Sequence, residues 1–309
     1  MEILVTGGAG FIGSHLVNAL ADAGHRVTVI DNFSTGCREN MDDRAEYYEM
    51  DIRDREQVAS VFASHAFEMV FHEAAQTLVP YSMEHPAEDA ELNIMGLLNI
   101  LENCRQYQVR RVIFSSSAAV YGNNETVPIR EEAPVQPTSF YGLTKVTAEV
   151  YLRLYYEAYG LSYVVLRYAN VYGERQGTHG EGGVVCLFAK ALAAGKKLII
   201  YGDGDQSRDF VYVKDVAAAN IAAMAESVAP GVYNISTKIE TTINALKEIL
   251  IYFSHMSPDV VYKEARSGDI YRSALDNTKA IEALNWRPKT KLLPGLMATY
   301  SYFLGRSDI

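Results

Sequence analysis

What this 309-residue chain has little of narrows its class. Cysteine occurs three times, as Cys37, Cys104 and Cys186, an odd number spread far apart without ligand-like spacing. That excludes a disulfide framework and a cysteine metal site, and fits free thiols in a reducing compartment. No apolar run approaches the roughly 20 residues that span a bilayer, so no membrane partner is expected. The first predicted strand begins at the second residue, which leaves no room for a signal peptide, and a cytoplasmic location is expected. Basic residues are in deficit, 28 against 38 acidic, for a net charge of −10, which makes nucleic acid a poor partner. A phosphorylated ligand would need local arginines and helix ends against that general field. There is no internal repeat and no low-complexity segment. The remainder, 49% hydrophobic and 21% charged, supplies a substantial core for one large or two moderate domains.

The most informative stretch is Ile3-Leu4-Val5-Thr6-Gly7-Gly8-Ala9-Gly10-Phe11-Ile12-Gly13. A β-branched apolar run reads as a buried strand, the glycines as a tight turn, and Ile12, Leu16 and Leu20 as one face of a following helix. Gly7, Gly10 and Gly13 allow the sharp turn, the approach of a diphosphate to the main chain, and close helix packing, while the helix N-terminus offers N–H donors to phosphate. A second run, Arg26 to Ile30, ends in Asp31, about 20 residues beyond the glycines, where an acid holds a ribose 2′-hydroxyl. The cofactor predicted is NAD, since the 2′-phosphate of NADP would be repelled there.

Further along, Asn32-Phe33-Ser34-Thr35-Gly36 is a turn-rich loop placed to pass under the adenosine ribose. A third strand, Glu46 to Met50, ends at Asp51-Ile52, where Asp51 either reaches the adenine edge or caps a helix starting near Asp54. A fourth, Phe67 to Phe71, runs into Ala74, Ala75 and Gln76, small enough beside the nicotinamide half for close approach. Two long helices are predicted, roughly Pro86 to Cys104 and Thr138 to Tyr159, with the strand Arg110 to Ser115 between them. Exposed apolar positions on the second, Val150, Leu154 and Tyr155 among them, are either core or a dimer seam; a homodimer is expected. After a sixth strand, Ser162 to Arg167, the alternation breaks down. The fold predicted is α/β, a doubly wound parallel Rossmann sheet with a smaller C-terminal α/β substrate-binding domain. Residues 1–173, with a returning segment around 209–235, form the NAD-binding part, and 174–309 mainly the substrate part.

Tyr141 and Lys145 stand four apart at a helix start, on one face. A lysine ammonium beside a phenol lowers the phenol towards neutrality, making a base able to take a proton from an alcohol as hydride leaves the carbon. The pair follows Ser115-Ser116-Ser117 at a strand's carboxyl end, and Ser117 is placed to hold the same alcohol.

With these residues the chain resembles the NAD-dependent epimerase/dehydratase family of extended short-chain dehydrogenases/reductases. The resemblance runs through Thr6 to Ser14, Asp31-Asn32 with Ser34 and Gly36, Ser115 to Gly122, Tyr141 to Lys145, Arg167 to Gly173, Arg208 to Val213, and Arg266 to Asp269. It implies Tyr141 as base, Lys145 also on the nicotinamide ribose, and Ser117 on the sugar hydroxyl. It adds Asn93, Ser115 and Tyr168 to the cofactor wall. It assigns Asn170, Arg208 and Arg266 to a nucleotide diphosphate, Asp269 to its ribose, Tyr201 to its base, and Val184 to the substrate wall.

Relatives that eliminate water place an acidic pair where this chain has Ala118 and Ala119, so the resemblance implies 4-epimerisation of a UDP-hexose, with a transient 4-keto sugar that turns and takes the hydride back on its other face. The position seven beyond Arg266 is Ser273, where a bulky aromatic would exclude an N-acetyl group, so UDP-N-acetylglucosamine is expected alongside UDP-glucose. The chain departs from its relatives at Glu73, where an apolar residue is usual, at Thr77 and at Glu174. The alternatives are a UDP-glucuronate 4-epimerase, decarboxylase or dehydratase on the same scaffold, or a non-catalytic NAD-binding regulator.

Overall fold

The computed structural model describes residues 1–124, 126–177, 182–265 and 270–306. Strands β1 (Glu2–Thr6), β2 (Arg26–Asp31), β3 (Glu46–Glu49), β4 (Met69–His72), β5 (Arg111–Ser117) and β6 (Ser162–Tyr168) come first. They are followed by β7 (Asn170–Tyr172), β8 (Leu198–Tyr201), β9 (Ser207–Tyr212) and β10 (Gly231–Ile235). A seven-stranded sheet runs in the order β10-β6-β5-β4-β1-β2-β3, with every neighbour parallel. The winding reverses between β1 and β4, and in such a sheet the crevice at that reversal, at the strands' carboxyl ends, takes the ligand.

The strand alternation of β1 explains why the sheet is covered on both faces. Ile3 and Val5 pack with Leu16 and Leu20 of α1 (Phe11–Asp22), whereas Leu4 packs with Val58 of α2 (Arg55–Ser64) and Val70.

Where a continuous helix over Pro86–Cys104 is predicted, the chain forms α3 (Val79–Glu84), α4 (Pro86–Ala90), a π turn over Glu91–Met95, and α5 (Gly96–Gln106). The wider turn has a polar cause. It carries buried Asn93, whose amide donates to the Gln76 carbonyl (3.0 Å), Asp89 Oδ1 (3.1 Å) and Thr144 Oγ1 (3.1 Å). The second long helix is α6 (Phe140–Tyr159), capped by Ser139 and ended by Gly160 in the left-handed region.

Beyond β6 the chain builds a second group of strands. β9 pairs in parallel with β7 and with β13 (Arg272–Ser273), and antiparallel with β11 (Glu240–Thr242), while β8 pairs with β12 (Val260–Lys263). Helix α7 (Val184–Ala193) covers this group, and α8 (Val213–Ala222) returns to the large sheet, where Val216 and Ala219 join Leu16 and Leu20 in one core. Among the described residues no helix is long and apolar enough to cross a membrane, and the three cysteines are free and buried.

Candidate active site

A cleft of about 720 Å³ opens at the carboxyl ends of the parallel strands. Its first wall is the β1 to α1 turn. A Cβ on Gly13 would lie 2.1 Å from the Gly7 carbonyl oxygen, and one on Gly7, which has φ +72°, would lie 2.6 Å from the Ala74 amide nitrogen. Only glycine fits at either point. Helix α1 starts at Gly10 without a side-chain cap and without an acid in its first turn, so the first-turn N–H groups of Phe11, Ile12 and Gly13 stay available along the cleft. This cradle fits a dinucleotide diphosphate on its own geometry.

Asp31 stands at the end of β2, where its carboxylate accepts from the Ala9 N–H (2.9 Å) and the Phe33 N–H (2.8 Å); burial raises its pKa. Asn32, Ser34, Asp51 and Ile52 continue the wall. Of the two readings of Asp51, the cap is excluded. Asp54 caps α2 through the Gln57 N–H (3.0 Å), while Asp51 binds Arg53 and the Asn32 amide, and the Arg53 guanidinium pulls its carboxyl down to about 2. Gly36 lies behind Asp31, close enough that a Cβ would meet Oδ1 at 2.8 Å. Ala74, Ala75 and Gln76 line the cleft from the end of β4. Asn93 sits one layer further out, accepting from the Gln76 N–H (2.9 Å), so it holds the wall and is not part of the lining.

The other end of the cleft lies between β5, β6 and α6, where Ser115, Ser117, Tyr141, Lys145 and Tyr168 meet. The Lys145 ammonium donates to the Ser115 carbonyl (2.8 Å) and lies 4.8 Å over the Phe114 ring. The hydroxyls of Tyr168 and Ser115 are 2.9 Å apart. The electrostatics correct the expectation for Tyr141. Burial pushes its hydroxyl up to about 12, the neighbouring Ser117 hydroxyl only partly opposing this. The helical spacing does bring Lys145 to the same face, but its ammonium is turned to the strand end, 5.8 Å from the Tyr141 ring centroid. Burial also pulls Lys145 down to about 8.

The residues assigned to the nucleotide sugar are spread over the second strand group, and Asn170, Val184, Tyr201, Arg208 and Ser273 do not line the cleft. Asn170 on β7 is in register with Phe210 on β9, and Ser273 on β13 with Arg208 on β9. Tyr201 is on β8, with the Lys263 ammonium 5.9 Å from its ring centroid, and Val184 opens α7 next to Gly183, which lines the cleft. Arg266 and Asp269 lie outside the described residues.

Sequence reasoning missed Arg53, Arg175 and Gln176 as lining residues, and did not place Glu73 in the wall. None belongs to a spaced motif. The glycine-rich loop after Tyr172 was the one available signal for Gln176 and Gly183. Glu174 ties that loop down, its carboxylate accepting from the Tyr212 hydroxyl (2.7 and 2.8 Å) and Lys214 (3.1 Å), its carbonyl from His15 (3.1 Å).

Comparison with known proteins agrees with this geometry. A UDP-glucose 4-epimerase from Thermotoga maritima, solved with UDP-glucose, is 46% identical with a TM-score of 0.97, covering 99% of both chains. One from Thermus thermophilus, solved with NAD, is 40% identical with a TM-score of 0.94 over 100% of both. A UDP-N-acetylglucosamine 4-epimerase from Methanobrevibacter ruminantium, in complex with UDP-N-acetylmuramic acid, is 38% identical with a TM-score of 0.92, covering 99% of this chain and 98% of that one. Residues 3–236 match the model of one protein family, so that the glycine cradle, the β5 serines and the Tyr141–Lys145 helix fall inside a single recognised unit: the chain belongs to the NAD dependent epimerase/dehydratase family.

Proposed function

We propose that the chain is a UDP-hexose 4-epimerase that interconverts UDP-glucose and UDP-galactose, and also their N-acetylated counterparts, with tightly held NAD. The observation that carries this reading is the meeting of Ser117, Tyr141 and Lys145 at one end of the cleft that begins at the Gly7 to Gly13 cradle. Ala118 and Ala119, in a short turn after β5, leave no acid–base pair there for elimination. Residues 1–173 with the returning segment 209–235 hold NAD, and 174–309 mainly the sugar nucleotide.

Bound NAD supplies reversible oxidation at sugar carbon 4 and a positive ring near the reacting hydroxyl. The Phe11 to Gly13 N–H groups hold its diphosphate, Asp31 its adenosine ribose, and Lys145 its other ribose. Ser117 orients the 4-hydroxyl, and Tyr141 takes its proton and later returns it. Burial pushes the Tyr141 hydroxyl up to about 12 with Lys145 already in place, so the positive charge of bound NAD would have to lower it. Asn170, Arg208, Arg266 and Asp269 anchor the UDP, so that the freed 4-keto sugar turns about its diphosphate and is reduced on the other face. Ser273, on β13, carries no aromatic ring that would exclude an N-acetyl group.

The exposed stripe Leu143, Val150 and Leu154 on α6, with Met83 and Met95 beside it, is the face through which we assign a homodimer. Three buried free thiols suit the cytoplasm.

The test incubates the purified protein, without added cofactor, with UDP-glucose, UDP-galactose and their N-acetyl forms separately. Each pair should reach the same mixture from either side. Accumulation of a 4-keto-6-deoxy sugar, or no change with NAD supplied, overturns the reading. Ser273→Tyr should suppress the acetylated pair selectively, and equal loss on both pairs would refute the gate.

A further inference from the structure

Glu73 is the acid that this site holds without an assigned task. It follows β4 immediately and lines the same end of the cleft as Ser115, Tyr141, Lys145 and Tyr168. The Tyr168 hydroxyl donates to its Oε1 (3.3 Å) and itself accepts from the Asn220 amide (2.7 Å). The Ser115 hydroxyl is bonded in turn to that of Tyr168 (2.9 Å), and burial raises the Glu73 carboxyl above its ordinary value. The donor to Glu73 is therefore a hydroxyl, which suits a carboxylate acting as acceptor only. On the other side of Ser115, the buried Lys145 ammonium donates to that residue's neutral carbonyl. A buried cation and a buried anion thus share one residue between them: Ser115 meets Lys145 with its main chain and the Tyr168–Glu73 pair with its side chain. Charges placed in a protein interior without partners are costly, so two of opposite sign linked through Ser115 and Tyr168 at one end of the cleft favour each other's charged form.

The other acids around Lys145 are Glu149 and Asp89. Glu149 on α6 is held bidentately by Arg167 (3.0 and 2.6 Å) and by the Ser116 hydroxyl (2.6 Å). Asp89 on α4 accepts from the neutral donors Gln76, Asn93 and Thr144. His72 on β4, paired with the Thr6 hydroxyl (3.0 Å), is held neutral by burial, its pKa pulled down to about 3. Tyr141 and Tyr168 are pushed up by burial and stay protonated.

We propose that Glu73 is a positioning residue, the buried counter-ion that keeps Lys145 an ammonium at the pH where the reaction runs. Against the burial that pulls Lys145 down, Glu73 is the foremost opposing charge, ahead of Asp89 and Glu149. Its consequence for catalysis rests on the reading above, in which the Lys145 ammonium holds the nicotinamide ribose.

The experiment measures Lys145 directly. Competitive labelling of the full chain with trace acetic anhydride from pH 6 to 10, read peptide by peptide by mass spectrometry, gives the titration midpoint of each lysine without needing turnover. Glu73→Gln keeps the volume and a hydrogen-bond partner for Tyr168, and Glu73→Leu is a second uncharged variant should the first unfold, which thermal melts will show. The uncharged variant should lower the Lys145 midpoint by about one pH unit, a tenfold loss of proton affinity, with the other lysines unmoved. Glu73→Asp should restore most of it. The alkaline limb of kcat/KM for UDP-hexose should fall in parallel. An unchanged or raised Lys145 midpoint overturns the proposal. A lowered midpoint in a protein that does not epimerise sustains the counter-ion and overturns the functional reading instead.

Discussion

Replacing Gly13 with alanine tests whether the β1 to α1 turn is the cofactor cradle. The added Cβ would sit 2.1 Å from the Gly7 carbonyl oxygen and 2.9 Å from both Gly7 C and Gly8 Cα, all backbone atoms. Relief needs the loop to retreat by about 1 Å, and it has nowhere to go: the Gly7 N–H is bonded to the Ile30 carbonyl (2.8 Å), its carbonyl accepts from the Gly10 N–H (3.1 Å), and Ala74 stands behind it. We expect the upper end of the overpacking range, about 3 kcal/mol, or a fall of roughly 6 °C in Tm. The same shift moves the first-turn N–H groups, and losing one charge-assisted hydrogen bond to the diphosphate costs about 1.5–3 kcal/mol, so NAD should bind at least tenfold more weakly. The assays are thermal melts with and without NAD, and chromatographic measurement of the nucleotide released on acid denaturation. Gly24→Ala is the control: φ is +78° but nothing lies within 4 Å of the new Cβ, so it should cost only about 1 kcal/mol of backbone strain and leave NAD retention unchanged. A Gly13→Ala protein that keeps stoichiometric NAD and a wild-type Tm would refute the cradle.

Tyr141→Phe should reduce epimerisation by at least 10²-fold while the protein still holds NAD and UDP-sugar, measured by turnover beside calorimetric binding; retained turnover would remove Tyr141 as the base. His15 is buried with its ring against the Glu174 carbonyl, and burial lowers its pKa from 6.5 to about 4. The unfolded chain takes up that proton first as the pH falls, so the stabilising contribution is complete above pH 6.5 and disappears towards pH 4. Urea midpoints should show the wild type losing about 2 kcal/mol more than His15→Gln between pH 8 and pH 5. Glu149→Gln leaves the buried Arg167 guanidinium without its charge partner and should cost about 3 kcal/mol, seen as a fall of roughly 6 °C in Tm; a fall under 2 °C would mean that Tyr121 and the Glu131 carbonyl satisfy Arg167 alone.

The parts of the site that sequence disclosed are those where the backbone itself is the functional group. Gly7 and Gly13 are legible because no other residue fits, and the alternation of Ile3, Leu4 and Val5 is legible because a parallel sheet buries both faces. What sequence did not disclose depends on which way a long side chain turns once the chain has folded. Lys145 is four residues from Tyr141 on the same helical face, yet its ammonium goes to the Ser115 carbonyl, since a strand end offers an acceptor inside a region that burial makes hostile to charge. The π turn that presents Asn93 is invisible for the same reason, because its cause, a shared hydrogen-bond set with Gln76, Asp89 and Thr144, joins residues more than 50 positions apart. Glu73 joins both cases. In the sequence it is one acid among 38, and in the fold it lies at the same end of the cleft as Lys145, with Ser115 and Tyr168 between them, where desolvation sets how much that carboxylate matters. If desolvation outweighs every other influence at this end of the cleft, then charge and not hydrogen-bond geometry decides the behaviour of Lys145. Glu73→Asp, which keeps the charge and changes the shape, should then stay near the wild-type alkaline limit, while Glu73→Gln, which keeps the shape and removes the charge, falls about a pH unit below it.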